Sequence, residues 1–275
     1  MATPATTWPA AASERSAHVL ARGPRPATVL AVFPAALYLD ADGDLLPVVA
    51  PGGLRLPTAL ALATAVRGVG WGVQPGDEVT VGGGQVVLPS ATVRVVREWR
   101  PRRMPVAPGA SAGHLPVGSP SPWAGSSSAV SPSAWRDDAA ELAGQVVAGG
   151  VLVPLVRRLV GAGPGLTPAG DDVLCGVLLG LRLLGQARSL PRLWDGVRPR
   201  LATTTALSAA LLAEAVEGYA VPQVIDLGEA LARRDPVGVT AAAREVLAIG
   251  HTSGADLLAG LAGCLDALQD KAFVA

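Results

Sequence analysis

The 275-residue sequence lacks an excess of either charge, because 22 Lys and Arg balance 22 Asp and Glu. Charged residues are also scarce, at 16% of the chain, so no basic field for nucleic acid or for an anionic membrane is indicated. There are only two cysteines and three dispersed histidines, too few and too scattered for a disulfide framework or a zinc site. These shortages argue against nucleic-acid-binding modules and zinc proteins.

Long apolar runs are lacking too. The first 20 residues do not contain the continuous apolar core of a signal peptide, and the most apolar run, residues 173–181, is too short to span a bilayer. We therefore expect a soluble, cytoplasmic protein with neither nucleic-acid nor membrane partners. Cys175 and Cys264 occupy apolar positions of helical patterns, so we expect both thiols to be buried and unbridged.

Apolar residues, at 50% of the chain, follow two different patterns. Over residues 1–100 they form short extended runs, and Asp42-Gly43 between two of them is a strong hairpin signal. A second pair of runs turns over Gly82-Gly83-Gly84, and "LPTALALATAV" predicts a short helix from about Pro57. We predict a β-rich, mainly antiparallel domain over residues 1–100.

The rest of the chain divides by composition. Residues 101–134 are rich in proline, glycine and serine, which predicts a linker or mobile loop. Residues 135–275 contain six segments of helical periodicity, with Gly or Pro in their connections. The predicted fold class is α+β, with an N-terminal β unit followed by an all-α helical bundle that carries the motifs GLTPAGDD and HTSGAD.

The first motif predicts the start of a helix. Thr167 suits the N-cap, Pro168 the first helical position, and Asp171 and Asp172 the first turn, where the helix dipole favours negative charge.

One face of this helix carries unusual residues. Asp172, Gly176 and Gly180 share that face, although each interior glycine costs about 1 kcal/mol relative to alanine. The spacing therefore predicts that another backbone or a ligand approaches closely.

The second motif repeats the first. Gly254-x-Asp256-x-Leu-x-Gly260 follows the order of Gly170-x-Asp172-x-Leu-x-Gly176, and Asp256, Gly260 and Gly263 are again placed on one face. We expect the N-termini of the two helices to face one site, with Asp172 and Asp256 within about 10 Å of each other.

Two interpretations of this site stay open. Free N–H groups of the helix starts, with a nest of N–H groups in the loop from Gly161 to Gly165, would bind an anion or small carboxylate. The alternative is helix packing alone. Elsewhere, Thr205 and Ser208 either project into a small-residue groove or bond to carbonyls of their own helix, and His251 is either a proton-transfer group or a structural cap. The candidate substrate-binding residues are Gly163, Gly165, Thr167, Gly170, Asp171, Asp172, Thr205, Ser208, His251, Thr252, Ser253, Gly254 and Asp256.

"GPGLTPAGDD" and "HTSGADLLAG" resemble the family, long labelled a domain of unknown function, that includes the AllH-type subunit of oxamate carbamoyltransferase. The family pattern is usually GLTPSGDD, whereas this sequence has Ala169 in place of the serine. The resemblance implies an enzyme of allantoin breakdown, a part of purine catabolism, that acts with two other subunits. It would transfer the carbamoyl group of oxalurate to phosphate, giving oxamate and carbamoyl phosphate. The alternative is a non-catalytic anion- or carboxylate-binding protein or a structural subunit.

The aspartates conflict with an anionic substrate. Either a cation bridges Asp171 and Asp172 to the substrate, with Mg²⁺ as the candidate, or the two side chains orient hydrogen-bond donors from behind. The sequence assigns neither a resident cofactor nor a catalytic residue.

Overall fold

The computed structural model describes residues 6–65, 69–107 and 132–269. The chain divides into two compact units, Met1–Pro101 and Arg102–Ala275.

The first unit is a closed eight-stranded barrel. Its strands are β1 (Thr6–Ser13), β2 (Arg25–Phe33), β3 (Ala36–Ala41), β4 (Asp44–Val49), β5 (Leu60–Leu62), β6 (Glu78–Gly82), β7 (Gln85–Val87) and β8 (Ala91–Trp99). They are hydrogen-bonded in the order β1-β5-β4-β3-β2-β6-β7-β8, and β1 closes the barrel on β8. The β1–β8 and β4–β5 pairs are parallel and the others antiparallel, so the mainly antiparallel prediction is confirmed.

The two predicted turns are confirmed. Asp42 (φ 61°) and Gly43 (φ 86°) join β3 to β4, as a turn that needs positive φ at both central positions requires. The glycines after Val81 turn β6 back into β7. Alternate side chains of β3, among them Leu37 and Leu39, point into the apolar core of the barrel.

The predicted helix from Pro57 is wrong, because β5 lies within that segment. Leu60 and Leu62 are buried on either side of the half-buried Ala61, which is the alternation of a strand. Pairing with β1 and β4 outweighs the helical propensity of the Ala/Leu run. A short helix, α1 (Ala17–Ala21), lies instead between β1 and β2.

The second unit is helical. Its helices are α2 (Pro132–Ala148), α3 (Val153–Leu159), α4 (Ala169–Leu183), α5 (Leu190–Val197), α6 (Ala206–Val216), α7 (Pro222–Arg233), α8 (Pro236–Leu247) and α9 (Ser253–Gln269). All residues of α4 except Ala169 and Arg182 are buried, so α4 is the central helix of this unit. None of the helices in the described part of the chain is long and apolar enough to cross a membrane.

Two boundaries of this unit differ from the sequence predictions. The first of the six predicted helical segments, residues 134–161, is divided into α2 and α3 at Gly149 (φ 78°). The Arg192 guanidinium donates to the carbonyls of Gln145 and Val146 near the end of α2. Residues 108–131 of the predicted linker lie outside the described residues. The preceding residues include buried Met104, whose N–H donates to the Gly218 carbonyl at 2.7 Å.

The cysteine prediction is confirmed, since Cys175 and Cys264 are both free and buried. Burial raises the pKa of both thiols, so little thiolate is available at neutral pH. We expect a thiol reagent to label neither residue within minutes in the native protein, and both in guanidinium chloride. Fast labelling of the native protein would contradict this packing.

Candidate functional site

The two motif helices, α4 and α9, lie side by side with their N-termini together. The hydroxyls of Thr167 and Ser253, one at each helix start, are 2.8 Å apart. Further along, Gly176 faces Leu257 and Gly180 faces Cys264. The helices therefore run parallel with their N-termini together, as expected, while the shared ligand site stays a prediction.

The glycines on these helices are explained by close packing. A methyl group built on Gly176 would lie 2.2 Å from the Leu257 carbonyl oxygen, and one on Gly260 would lie 2.0 Å from that of Val173. Each glycine thus touches the backbone of the partner helix, and neither requires a ligand. Gly263 does not share this role, because it faces α2, 2.3 Å from the Arg136 carbonyl oxygen by the same construction.

The sequence repeat also has a packing origin. A methyl group on Gly170 would lie 2.1 Å from the Leu159 carbonyl oxygen at the end of α3. One on Gly254 would lie 1.9 Å from the Val246 carbonyl oxygen near the end of α8. In both copies the second residue of the helix must be glycine, because the preceding helix ends against it.

Asp171 fastens the loop before α4 and is 1% exposed. Its Oδ1 accepts a hydrogen bond from the Gly161 N–H at 2.9 Å, and its Oδ2 accepts one from the Thr204 hydroxyl. With both oxygens occupied, Asp171 is a structural anchor. Thr204 was missed by sequence reasoning, although the run of three threonines before α6 was a signal for side-chain hydrogen bonds at that helix start.

The predicted cap of α4 is wrong by one residue. Pro168 is the N-cap, and the Thr167 hydroxyl contacts Ser253 instead of capping its own helix. The carbonyl of Pro168 accepts from the N–H groups of Asp171 and Asp172, and the Gly170 N–H donates to Ala162. Most of the N–H groups expected to bind an anion at this helix start are therefore already used.

The predicted nest of loop N–H groups is also largely used. The Gly161 N–H donates to Asp171, the Ala162 N–H donates to the Leu159 carbonyl, and Pro164 has no N–H. Gly163 and Gly165 remain, and both are exposed with positive φ. Donors for an anion at this site must therefore come mainly from side chains.

Asp172 is the unusual residue of the site. It is 6% exposed, and its Oδ2 has no hydrogen-bond partner among the described residues. Burial raises the pKa of Asp172 to about 8. The hydroxyls of Ser253 and Thr167 oppose that increase in the pKa, whereas the charges of Asp256 and Asp171 add to it. The carboxyl group is thus mainly protonated at neutral pH.

Asp256 on α9 is buried in the same way as Asp172. It is 8% exposed and its Oδ2 lacks a partner within the described ranges. Burial raises the pKa of Asp256, and the Thr252 hydroxyl opposes the increase. Because its charge acts on Asp172, the two carboxyl groups lie within electrostatic range, while the 10 Å separation stays a prediction.

The remaining candidates differ in their surroundings. Thr205 caps α6 by accepting from the Ser208 N–H at 3.0 Å, and its own hydroxyl donates to the Leu166 carbonyl at 2.5 Å, not to its own helix. The Ser208 hydroxyl is buried with no partner among the residues described. His251 is exposed.

A metal site finds little support in this donor set. Across residues 6–65, 69–107 and 132–269, His, Cys, Asp and Glu form no group of three or more that could hold a metal ion. Asp172 and Asp256 supply two carboxyl oxygens, whereas Mg²⁺ prefers octahedral oxygen coordination. Mg²⁺ stays a prediction.

The comparison with protein families matches residues 159–265 to the model described as oxamate carbamoyltransferase subunit AllH. The resemblance to the AllH family is confirmed over these residues. The match includes α4, α6 and most of α9, and thus both motifs, but less than half of the chain. AllH is described as one subunit of a carbamoyltransferase, so the enzyme of that family has further subunits. No solved structure matches the chain.

Proposed function

We propose that this protein is a subunit of an oxamate carbamoyltransferase-like enzyme that acts with two other subunits. The enzyme transfers the carbamoyl group of oxalurate to phosphate, giving oxamate and carbamoyl phosphate, within allantoin degradation. The observation that carries the proposal is that the AllH match contains both motifs whose helix starts meet at Thr167 and Ser253.

The chemistry of the site supports an anionic substrate. Phosphate and oxalurate are anions, and attack on the carbamoyl carbon generates negative charge on its oxygen, which hydrogen-bond donors stabilise. The Thr167–Ser253 pair offers hydroxyl donors at the point where the positive ends of two helix dipoles converge. Beside this pair is Asp172, whose Oδ2 makes no hydrogen bond among the described residues.

A structural, non-catalytic subunit is the second candidate. The observation in its favour is the packing of Gly170, Gly176, Gly254 and Gly260, which accounts for the glycine pattern of both motifs without a ligand. In that case the enzyme would need this chain for assembly. The hydroxyls of the Thr167–Ser253 pair and the carboxyl groups of Asp172 and Asp256 would then not affect turnover.

Reconstitution with the two other subunits tests the proposal. We expect carbamoyl phosphate to form from oxalurate and phosphate only when this chain is present. Thr167→Val removes the hydroxyl that contacts Ser253 and should lower the rate by roughly tenfold, the equivalent of about one hydrogen bond at 1.4 kcal/mol.

A matched control is Thr240→Val on α8, where the hydroxyl donates only to the Pro236 carbonyl of its own helix, at 2.9 Å. This variant should keep the wild-type rate. Failure of the complete mixture to make carbamoyl phosphate would refute the function. A fully active Thr167→Val complex would instead favour the structural role.

A further inference from the structure

The central difficulty of the site is that two aspartates occupy a place assigned to an anionic substrate. Gly161 and Thr204 occupy both oxygens of Asp171, so this side chain has no free atom to offer a substrate. Asp172 and Asp256 differ, since each has a buried oxygen with no partner in the described chain. Their protonation state therefore decides whether the site repels or binds an anion.

We propose that Asp172 is protonated in the free protein and that its carboxyl group donates a hydrogen bond to an oxygen of a small bound oxyanion, a carboxylate or a phosphate. This inference rests on the proposed function, since it names how that site would hold its substrate. Burial also raises the pKa of Asp256, so this neighbouring carboxyl group opposes a bound anion less than a solvated aspartate would.

The first support is burial that is only partly compensated. The hydroxyls of Ser253 and Thr167 favour the ionised carboxylate, but Oδ2 has no partner among the described residues, so the cost of desolvation outweighs them and the group takes up a proton. The charged side chains that act on Asp172 are Asp171 of its own helix and Asp256 of α9, both acidic. No charged group of the described α2, α3, α5 or α6 contributes to its ionisation state.

The second support is the shortage of other donors. The N–H groups of Gly170, Asp171 and Asp172 are bonded to Ala162 and Pro168, and on α9 those of Gly254 and Asp256 are bonded to Ile249 and Thr252. One hydroxyl of the Thr167–Ser253 pair donates to the other, and the pair also hydrogen-bonds to Asp172, so it has at most one further proton to give a ligand. A neutral Asp172 adds a second donor next to it, and an O–H···O⁻ bond to an anion is among the strong, short ones.

Proton linkage tests the inference. We would measure the affinity of the full-length protein for oxamate by calorimetry between pH 6 and pH 9.5 with EDTA present, using the assembled complex if the chain alone does not bind. Oxamate is the better probe, because a carboxylate of this kind does not titrate in that range. A second series with inorganic phosphate identifies which anion the donor serves.

We expect affinity that is constant up to about pH 7 and falls above pH 8, approaching tenfold per pH unit, because the donor proton is lost there. Asp172→Asn keeps a donor in its amide, so it should bind within about threefold of wild type at pH 6.5 and lose the pH dependence. Asp195→Asn, at an exposed position of α5, should keep both the affinity and the pH profile.

Other results would overturn the proposal. These are affinity that rises with pH, affinity that requires Mg²⁺, a loss above tenfold for Asp172→Asn at pH 6.5, or no binding of either anion. Turnover of oxalurate with pH-independent binding would refute the protonated donor and leave the proposed function intact. Binding of oxamate with the expected pH profile but no turnover by the complete complex would refute the function instead.

Discussion

Asp172→Asn is expected to stabilise the protein relative to wild type at neutral and alkaline pH, and to leave its stability nearly unchanged only below about pH 4, where Asp172 is protonated in both the folded and the unfolded state. The pKa of Asp172 is about 8 in the folded protein and near 3.8 when the side chain is free in solution. Between these values the folded state binds a proton that the unfolded state lacks, so wild-type stability falls as pH rises. The slope approaches about 1.4 kcal/mol per pH unit and levels off above pH 8.

The asparagine variant lacks this titration, so the difference in stability between variant and wild type should grow from pH 5 to pH 8 and level off above it. Urea unfolding at pH 5, 7 and 9 measures it, provided that the slopes of the transitions match. A difference that stays constant with pH would mean that Asp172 is already ionised in the folded protein.

Asp171→Asn is the matched control, since this residue is adjacent in the chain and equally buried. Its two oxygens accept from the Gly161 N–H and from the Thr204 hydroxyl, and an asparagine offers one acceptor and places an NH₂ group against the other donor. We expect a loss of about 1–3 kcal/mol at pH 7. Adjacent aspartates of one helix should thus respond to the same substitution in opposite directions at high pH.

The second large effect is expected for Gly176→Ala. The new methyl group would lie 2.2 Å from the Leu257 carbonyl oxygen and 2.6 Å from the Leu261 nitrogen, both backbone atoms that cannot rotate away. The parallel α4–α9 pair would have to separate, which we expect to cost about 3 kcal/mol or more. Thermal or urea unfolding measures the loss.

Gly196→Ala in α5 is the control for this substitution. There the methyl group would meet only the Val156 side chain, at an ordinary 3.7 Å. Because alanine favours the helix over glycine, we expect a gain of about 0.5–1 kcal/mol. If Gly176→Ala were equally harmless, the close backbone contact between α4 and α9 would be wrong.

Much of the helical unit was predictable because its signals are local. Each of these signals reflects the geometry of one helix. They are the prolines at the starts of α7 and α8, and on α4 the acidic residues of the first turn and the glycines four residues apart. The repeated Gly-x-Asp order also predicted correctly that the starts of α4 and α9 meet. The face of Gly263 was misassigned, because three residues along a helix turn a side chain far enough to face a third helix, here α2.

What the sequence could not predict depends on partners distant in the chain. Closure of the barrel rests on the pairing of β1 with β8 and with β5, and the latter strand is only three residues long in an Ala/Leu run that favours helix. Likewise, the Thr167 hydroxyl could have capped its own helix. It contacts instead the Ser253 hydroxyl, which is 86 residues away in the chain. Whether the N–H groups of a loop are free depends on which carbonyls approach them, and no local pattern specifies this.

A structure of the protein with oxamate bound, in the enzyme complex if needed, tests the central claim most directly. We expect an oxamate oxygen about 2.5–2.7 Å from a carboxyl oxygen of Asp172 and in contact with the Thr167–Ser253 pair, with no metal ion between Asp172 and Asp256. Oxamate bound only at another surface, or a cation held between the two carboxyl groups, would contradict it.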